Sequence, residues 1–307
     1  RCVISIGLNV WIHDGRASEL FFLHFWQNSR VWQYLMESIL QNAPGIPGLS
    51  QSGLLDALLD VFVLSLRIGA FLIAAPFFGS RMVPLNVRII ASMSVAIFLF
   101  GWVEIPQLET LKFAELISIV FVEILFCLTA GLIFSIAFSA AALAGEKVAA
   151  TSGLCFAMQV DPSTGTQSPV ISQFFSLLLL VLFFSSDSHL IVFYHILQSY
   201  EIFPVGSVLD VNTLYFAIFN ASENMFETAV LIMIPIVGYL LLINLVVGII
   251  TRSAPQLNLF SFGFPITILC TIVILYFSVA PISNMLLTLI ERHIDLLSDL
   301  IMEIRNG

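Results

Sequence analysis

The sequence predicts an all-α membrane protein with about six apolar segments, several of them broken or kinked, paired into helical hairpins. Three observations carry that prediction. Hydrophobic residues make up 59% of the 307 residues and charged residues 10%. Soluble domains carry about a quarter charged residues, so this chain cannot cover a water-facing surface and needs lipid or other apolar protein around it. Uncharged runs such as 124–145 and 253–290 reach the roughly 20 residues that a spanning helix requires. Pro- and Gly-containing breaks at 75–84, 145–169 and 199–206 separate those runs, because such residues disfavour continued helix.

Composition also excludes several classes. The net charge of −9 and the lack of any basic cluster argue against a nucleic-acid partner. Cys2, Cys127, Cys155 and Cys270 lie far apart without a C-x-x-C pair, so neither a zinc site nor a disulfide framework is indicated. His189 and His195 are six apart, on different helix faces. There is no nucleophile motif, phosphate loop, dinucleotide fingerprint or metalloprotease helix. Ser186-Asp-Ser-His189 is adjacency in sequence, which is not triad geometry. No enzymatic activity and no cofactor are expected.

Residues 1–48 read as an N-terminal extension. They carry Trp11, Trp26 and Trp32 among charged residues and no run long enough to span a bilayer. They lack the features of a signal peptide. An unstructured extension and an interfacial segment both fit, and Met36 stands as a candidate native start.

The first apolar segment, 54–78, contains Asp56, Asp60 and Arg67. Asp60 and Arg67 are two turns apart on one face, so they can pair or relay through a neighbour. A charge at bilayer depth costs roughly 2.5–3.5 kcal/mol on insertion scales, so Arg67 must snorkel, pair or face protein. A turn with Arg81 and Pro84 leads to a short second segment, 89–103. The third, 113–144, has Glu115 and Glu123 near its start and small residues such as Ala130, Gly131, Ala137 and Ala140 later, which permit close helix approach in lipid. The fourth segment, 170–197, is interrupted at Asp187-Ser-His189; the fifth is 225–251. The sixth, 253–290, is divided by Pro255, Pro265 and Pro281, where broken or bent helices are expected. Six crossings, with Arg81, Arg88, Lys147 and Arg252 in loops one, three and five, place those loops together on the cytoplasmic side.

Residues 145–169 form the polar break around which the apolar runs are arranged. Gly153 precedes an alternation in which Leu154, Phe156, Met158 and Val160 are bulky. Such groups on flexible backbone make a deformable seal, and hydrophobic constrictions block ions by dewetting. Asp161-Pro162 disfavours helix, and Gly165 lies in a polar tip. A solvated connecting loop is the alternative reading. Arg252 with Pro255 and Gln256 stands at a hairpin tip, either as a topology mark or as a contact surface. Broken apolar segments also occur in secondary transporters, which is the alternative function.

Motifs in a fixed order then become specific. They are Arg67-Ile-Gly-Ala-Phe-Leu-Ile-Ala-Ala-Pro76 with Arg81, Pro84 and Arg88; Ala144-Gly-Glu146, Gly153-Leu-Cys-Phe-Ala157 and Asp161-Pro162; Phe183-Phe-Ser-Ser-Asp-Ser-His189 with Ser199 and Phe203-Pro-Val-Gly206; and Arg252-Ser-Ala-Pro-Gln-Leu-Asn-Leu-Phe-Ser-Phe-Gly-Phe-Pro265. Over about residues 50–295 the chain resembles the FliR family of flagellar type III export-gate subunits and its injectisome relatives, the SctT family. Ser188 departs from the Gly usual before that histidine. The resemblance implies a FliP-like portion at 49–200 containing the loop, and a C-terminal portion at 201–307 with a FliQ-like hairpin. It implies assembly with FliP and FliQ homologues into a closed pore for unfolded flagellar export substrates. A FlhB homologue docks on that pore, which stands in the bacterial inner membrane at the flagellar basal body. In the resembling family the central loop plugs the pore, and Arg67, Arg81, Pro84, Arg252, Pro255 and Gln256 fall in structural or partner-contact motifs. Much of the family's complex stands above the membrane plane, with some apolar surface facing FliP and FliQ instead of lipid.

Overall fold

A computed structural model describes residues 51–79, 83–103, 113–154, 169–254 and 262–306. Within them the apolar runs form helices α1 (Gln51–Ala74), α2 (Pro76–Gly79), α3 (Leu85–Leu99), α4 (Phe113–Thr151), α5 (Val170–Ser185), α6 (Ser188–Ile202), α7 (Val211–Ser253) and α8 (Phe264–Asn306). No strand occurs among the described residues. The N-terminal extension lies outside them.

α4 is the axis. It packs on α1, α5 and α7, and its buried face is built from Ala130, Gly131, Ala137, Ala140, Ala141, Ala144 and Gly145. Small side chains let neighbouring backbones come close, which favours dispersion contact where lipid removes the hydrophobic drive between helices. Two glycines show how close. A Cβ on Gly131 would overlap Ala74 at the end of α1, and one on Gly145 would overlap the Ser172 backbone at the start of α5. Gly145 is therefore a contact point inside α4 and not the start of a loop. The polar break begins after Thr151, and residues 145–151 of the expected loop are helix.

α1 runs parallel to α4 and α5 runs back along it, while α6 packs on α8 and brings its end to Arg67. An aromatic cluster fills the middle: Phe77 of α2 meets Phe183 of α5 at 4.8 Å between ring centres and Phe134 of α4 at 6.4 Å. Between α5 and α6 the chain bends by 67°. Asp187 makes that bend with φ of 55°, a left-handed backbone, which Asp tolerates better than branched residues do. Ser188, the departure noted in the sequence, opens α6, is buried, and places its hydroxyl 2.8 Å from that of Ser186. The left-handed residue is thus Asp187, and position 188 needs no glycine.

Among the described residues four helices are long and apolar enough to cross a membrane, and a fifth crossing is available if the bent α5–α6 pair counts as one. The remaining segment of the six expected is α3. Its 15 residues span about 22 Å at 1.5 Å per residue, short of a hydrocarbon core of about 30 Å. Of the broken or bent helix expected at Pro281, there is no break: α8 continues through it as one helix. Pro281 is on an exposed face, and apolar helices in membranes accommodate such prolines by local adjustment. Pro265 sits in the first turn of α8, where its missing N–H would have had no helical partner. α7 likewise continues through Pro235.

Charge divides the bundle into halves. There is no charged side chain between Glu123 and Glu146 of α4, in α5, between Glu227 and Arg252 of α7, or from Phe264 to Ile290 of α8. These runs lie side by side, and those of α4 and α7 are each about 35 Å long by helical rise. The other half holds Arg67, Glu123, Glu227, Arg292 and most remaining charges. Glu227 and Arg292 join α7 to α8 at 2.7 Å, both about half exposed, a geometry that contributes at most about 1 kcal/mol.

The last turns of α4 and α7 and the first turns of α8 lie together, while the α1–α2 turn lies against Gly131, about 30 Å along α4 from Thr151.

Asp187 gives a direct test of the bend. Asp187→Gly is expected to keep or raise the unfolding temperature in detergent. Asp187→Val should lower stability by about 1–2 kcal/mol, the cost of a left-handed branched residue. Equal effects of the two substitutions would contradict the backbone assignment.

Candidate functional site

The first site is a buried ion pair. Arg67 on α1 and Glu123 on α4 are both fully buried, bonded from Arg67 Nε to Glu123 Oε2 at 2.5 Å and from Nη2 to Oε1 at 2.9 Å. Nη1 donates to Ser199 Oγ at 3.1 Å, and Nη2 also donates to the Phe203 carbonyl at 3.0 Å. The guanidinium stands 4.3 Å from the Tyr200 ring centre and 5.4 Å from those of Phe126 and Phe203. Tyr200 in turn donates its hydroxyl to the Leu64 carbonyl at 2.7 Å. The bidentate fork matches the carboxylate, and the rings hold charge by cation–π attraction. The result ties α1, α4 and the end of α6 together around one cation.

Arg67 was expected to pair or to face protein, and it does both. Its partner Glu123 was visible in the sequence as a second charge beside an otherwise uncharged run. The pairing was not, because only the parallel packing of α1 on α4 brings residues 67 and 123 together. Asp60 has an interaction of its own.

The second site is the root of the central loop. After Thr151 the chain leaves α4 through Ser152 and Gly153, and Gly153 has φ of 79°. A Cβ there would come within 2.7 Å of Phe264 Cδ1, so glycine is required both by backbone hand and by space. Leu154 packs partly buried against the core. Asn244 of α7 donates its side-chain amide to the Thr151 carbonyl at 3.0 Å, and Thr267 of α8 donates its hydroxyl to the Ser152 carbonyl at 3.1 Å. Neither Asn244 nor Thr267 was singled out from the sequence as a site residue. An amide-bearing side chain within an apolar run was the available signal, because a polar group in lipid needs a partner.

Of the expected plug residues, Gly153 and Leu154 are at this root. Phe156, Met158, Val160, Asp161, Pro162 and Gly165 lie outside the described residues, as do Arg81, Pro255 and Gln256. Pro84 begins α3, with its carbonyl accepting the Val87 N–H at 3.0 Å. Arg252 is exposed in the last turn of α7, where a cation also complements the helix dipole. These residues therefore do not form one site: Arg67 is beside Glu123 in the charged half, Pro84 is at the start of α3, and Gly153, Leu154 and Arg252 are at the loop-root end. Among the described residues no group of His, Cys, Asp and Glu could hold a metal ion.

The family profile described as "Bacterial export proteins, family 1" matches residues 58–293, from early α1 to late α8. Relatives called "Flagellar biosynthetic protein FliR" align over most of their length. The protein of Bacillus subtilis is 31% identical, over 72% of this chain and 88% of the relative. That of Aquifex aeolicus is 30% identical, over 75% and 87%. That of Pectobacterium carotovorum is 28% identical, over 78% and 92%.

The ion pair makes a quantitative prediction. Arg67→Met or Glu123→Leu alone leaves an uncompensated buried charge, which typically costs 3–5 kcal/mol. The double variant is expected to be more stable than either single one, read as unfolding temperature in detergent. A double variant as unstable as the two single losses added together would remove the pair from its central place.

Proposed function

This chain belongs to the bacterial export protein family 1, and from that premise we propose that it builds, with FliP and FliQ homologues, the closed pore of a flagellar export gate. That it is a membrane protein of flagellar export follows from the family and the apolar helices. The pore, the plug and the inner-membrane position are our reading. The observation that supports it best is the root of the central loop. The loop departs at a fixed left-handed glycine from the end where α4, α7 and α8 meet, at the edge of the charge-free half.

In this reading 49–200 supplies the FliP-like portion and the α7–α8 hairpin the FliQ-like one. Bulky side chains of the loop, Leu154, Phe156, Met158 and Val160, close the path by contact and by keeping water out. Asp161, Pro162 and Gly165 make its polar tip, and unfolded export substrates pass when the loop yields. Methionine suits such a seal because its flexible thioether adapts to irregular surroundings. The apolar faces that this chain leaves open support contact with lipid and neighbouring subunits. On α8 Tyr276 and Phe277 are each about three-quarters exposed, and on α3 Ile90 is 65% exposed. The loop-five tip, with Arg252, Pro255 and Gln256, faces a FlhB homologue, and Arg81 and Pro84 serve the first turn.

The plug assignment is tested by deleting residues 153–167 and reconstituting the assembled complex in vesicles. The deletion is expected to let ions or small solutes leak. Unchanged permeability in a correctly assembled complex would sink it.

Composition of the particle separates a gate from a secondary transporter. Mild extraction should yield this chain with several copies of FliP and FliQ homologues, and photocrosslinks from Gln256 should reach the FlhB homologue. A particle containing this chain alone, or as a small homo-oligomer, would favour a carrier. Crosslinks that succeed elsewhere but never from Gln256 would remove the FlhB contact.

A further inference from the structure

A helix leaves its last carbonyls without partners inside the helix, and each one buried without a partner is costly. At the end of α4 every such group has a place. The Val148 carbonyl takes the Ser152 N–H at 3.0 Å, Ala149 the Ser152 hydroxyl at 2.8 Å, and Ala150 the Gly153 N–H at 3.4 Å. The next two, Thr151 and Ser152, are taken by side chains from outside: Asn244 on one arm of the C-terminal hairpin and Thr267 on the other. Phe264, in the first turn of α8, stands over Gly153. Both arms of the hairpin thus hold adjacent carbonyls at the point where the loop begins.

The two donors differ in what they lose on letting go. A threonine hydroxyl has one proton. Thr267 Oγ1 lies 3.1 Å from the Ser152 carbonyl and 3.0 Å from the Phe264 carbonyl of its own helix. When the Ser152 carbonyl moves away, the hydroxyl remains satisfied on Phe264. Thr267 is 4% exposed, so this second acceptor removes the penalty that an unpartnered buried hydroxyl would otherwise carry. Among the described residues Asn244 gives its amide to the Thr151 carbonyl alone. The contact is therefore tight on α7 and exchangeable on α8.

We propose that Asn244 and Thr267 are positioning residues that latch the root of the central loop to the C-terminal hairpin, so that movement of the hairpin sets how firmly the loop is held. The latch itself stands on residues 148–154, 244, 264 and 267. Its consequence for permeability rests on the plug reading given above.

The test separates those two layers. Amide exchange at Ser152, Gly153 and Leu154 is measured in the full chain within its complex, for the unaltered protein, Asn244→Leu, Thr267→Val, the double variant and Thr267→Ser. Each net hydrogen bond contributes on the order of 1 kcal/mol. The double variant should therefore exchange about ten-fold faster or more at these amides, each single variant less. Thr267→Ser, which keeps the hydroxyl, should exchange like the unaltered protein. Unchanged exchange in Thr267→Val and Asn244→Leu overturns the latch, whatever the pore does, and so does a Thr267→Ser that behaves like Thr267→Val. If the 153–167 deletion leaks and the fast-exchanging double variant does not, the link from hairpin to seal is overturned. If both leak, it is supported. A deletion that stays tight removes the plug reading, and the exchange data still judge the latch.

Discussion

The packing of the charged half depends on the ion pair of Arg67 with Glu123. Both groups are fully buried, and taking each out of water costs several kcal/mol. That cost is offset only when the guanidinium and carboxylate are fully partnered, which requires three helices in fixed register. α1 must run parallel to α4, and the end of α6 must bring Ser199, Tyr200 and the Phe203 carbonyl to the same point. A slide of one turn, about 5.4 Å, would break all of these contacts at once. The pair therefore acts less as a source of stability than as a selector of one arrangement, a role attested for some buried polar groups.

Around that point the small residues of α4 determine the rest. Gly131 admits the end of α1, and Gly145 admits the start of α5. α7 then packs on α4 and α8 on α7, with apolar faces left open along both. The charge-free runs lie between the charge-bearing half and a second end marked by Glu146, Lys147 and Arg252, and the loop leaves from that second end. The hydrogen bonds from Asn244 and Thr267 keep that departure point fixed against the hairpin. The charged centre at Glu123 and the loop root after Thr151 thus lie on one helix, α4, with a buried face of small side chains between them.

Much of the architecture was legible. Composition alone requires an apolar environment, and runs free of charge such as 228–251 are read directly as helices. What escaped had tertiary causes. Pro281 reads as a breaker in any local rule, yet α8 passes through it because the position faces outward. Gly145 reads as a loop start, but its lack of a side chain is used for contact with α5. The bend at Asp187 was visible as a polar interruption, while its left-handed backbone was not. For the site, Arg67 stood out because a charge in an apolar run must be answered. Glu123 as its answer could not be read from spacing, since the two are joined only through the fold. Asn244 stood out only as a polar group in an apolar run, and its acceptor and that of Thr267 could not be read because they are backbone carbonyls, which no side-chain motif encodes.

The central claim is that this chain works in flagellar export through an intact bundle and a held loop. The most direct measurement is secretion of flagellar export substrates by cells whose own copy is replaced by this chain or by Arg67→Met. The unaltered chain is expected to restore secretion, and Arg67→Met is expected to lose it together with the assembled complex. Full secretion in cells that lack the chain entirely would contradict the account.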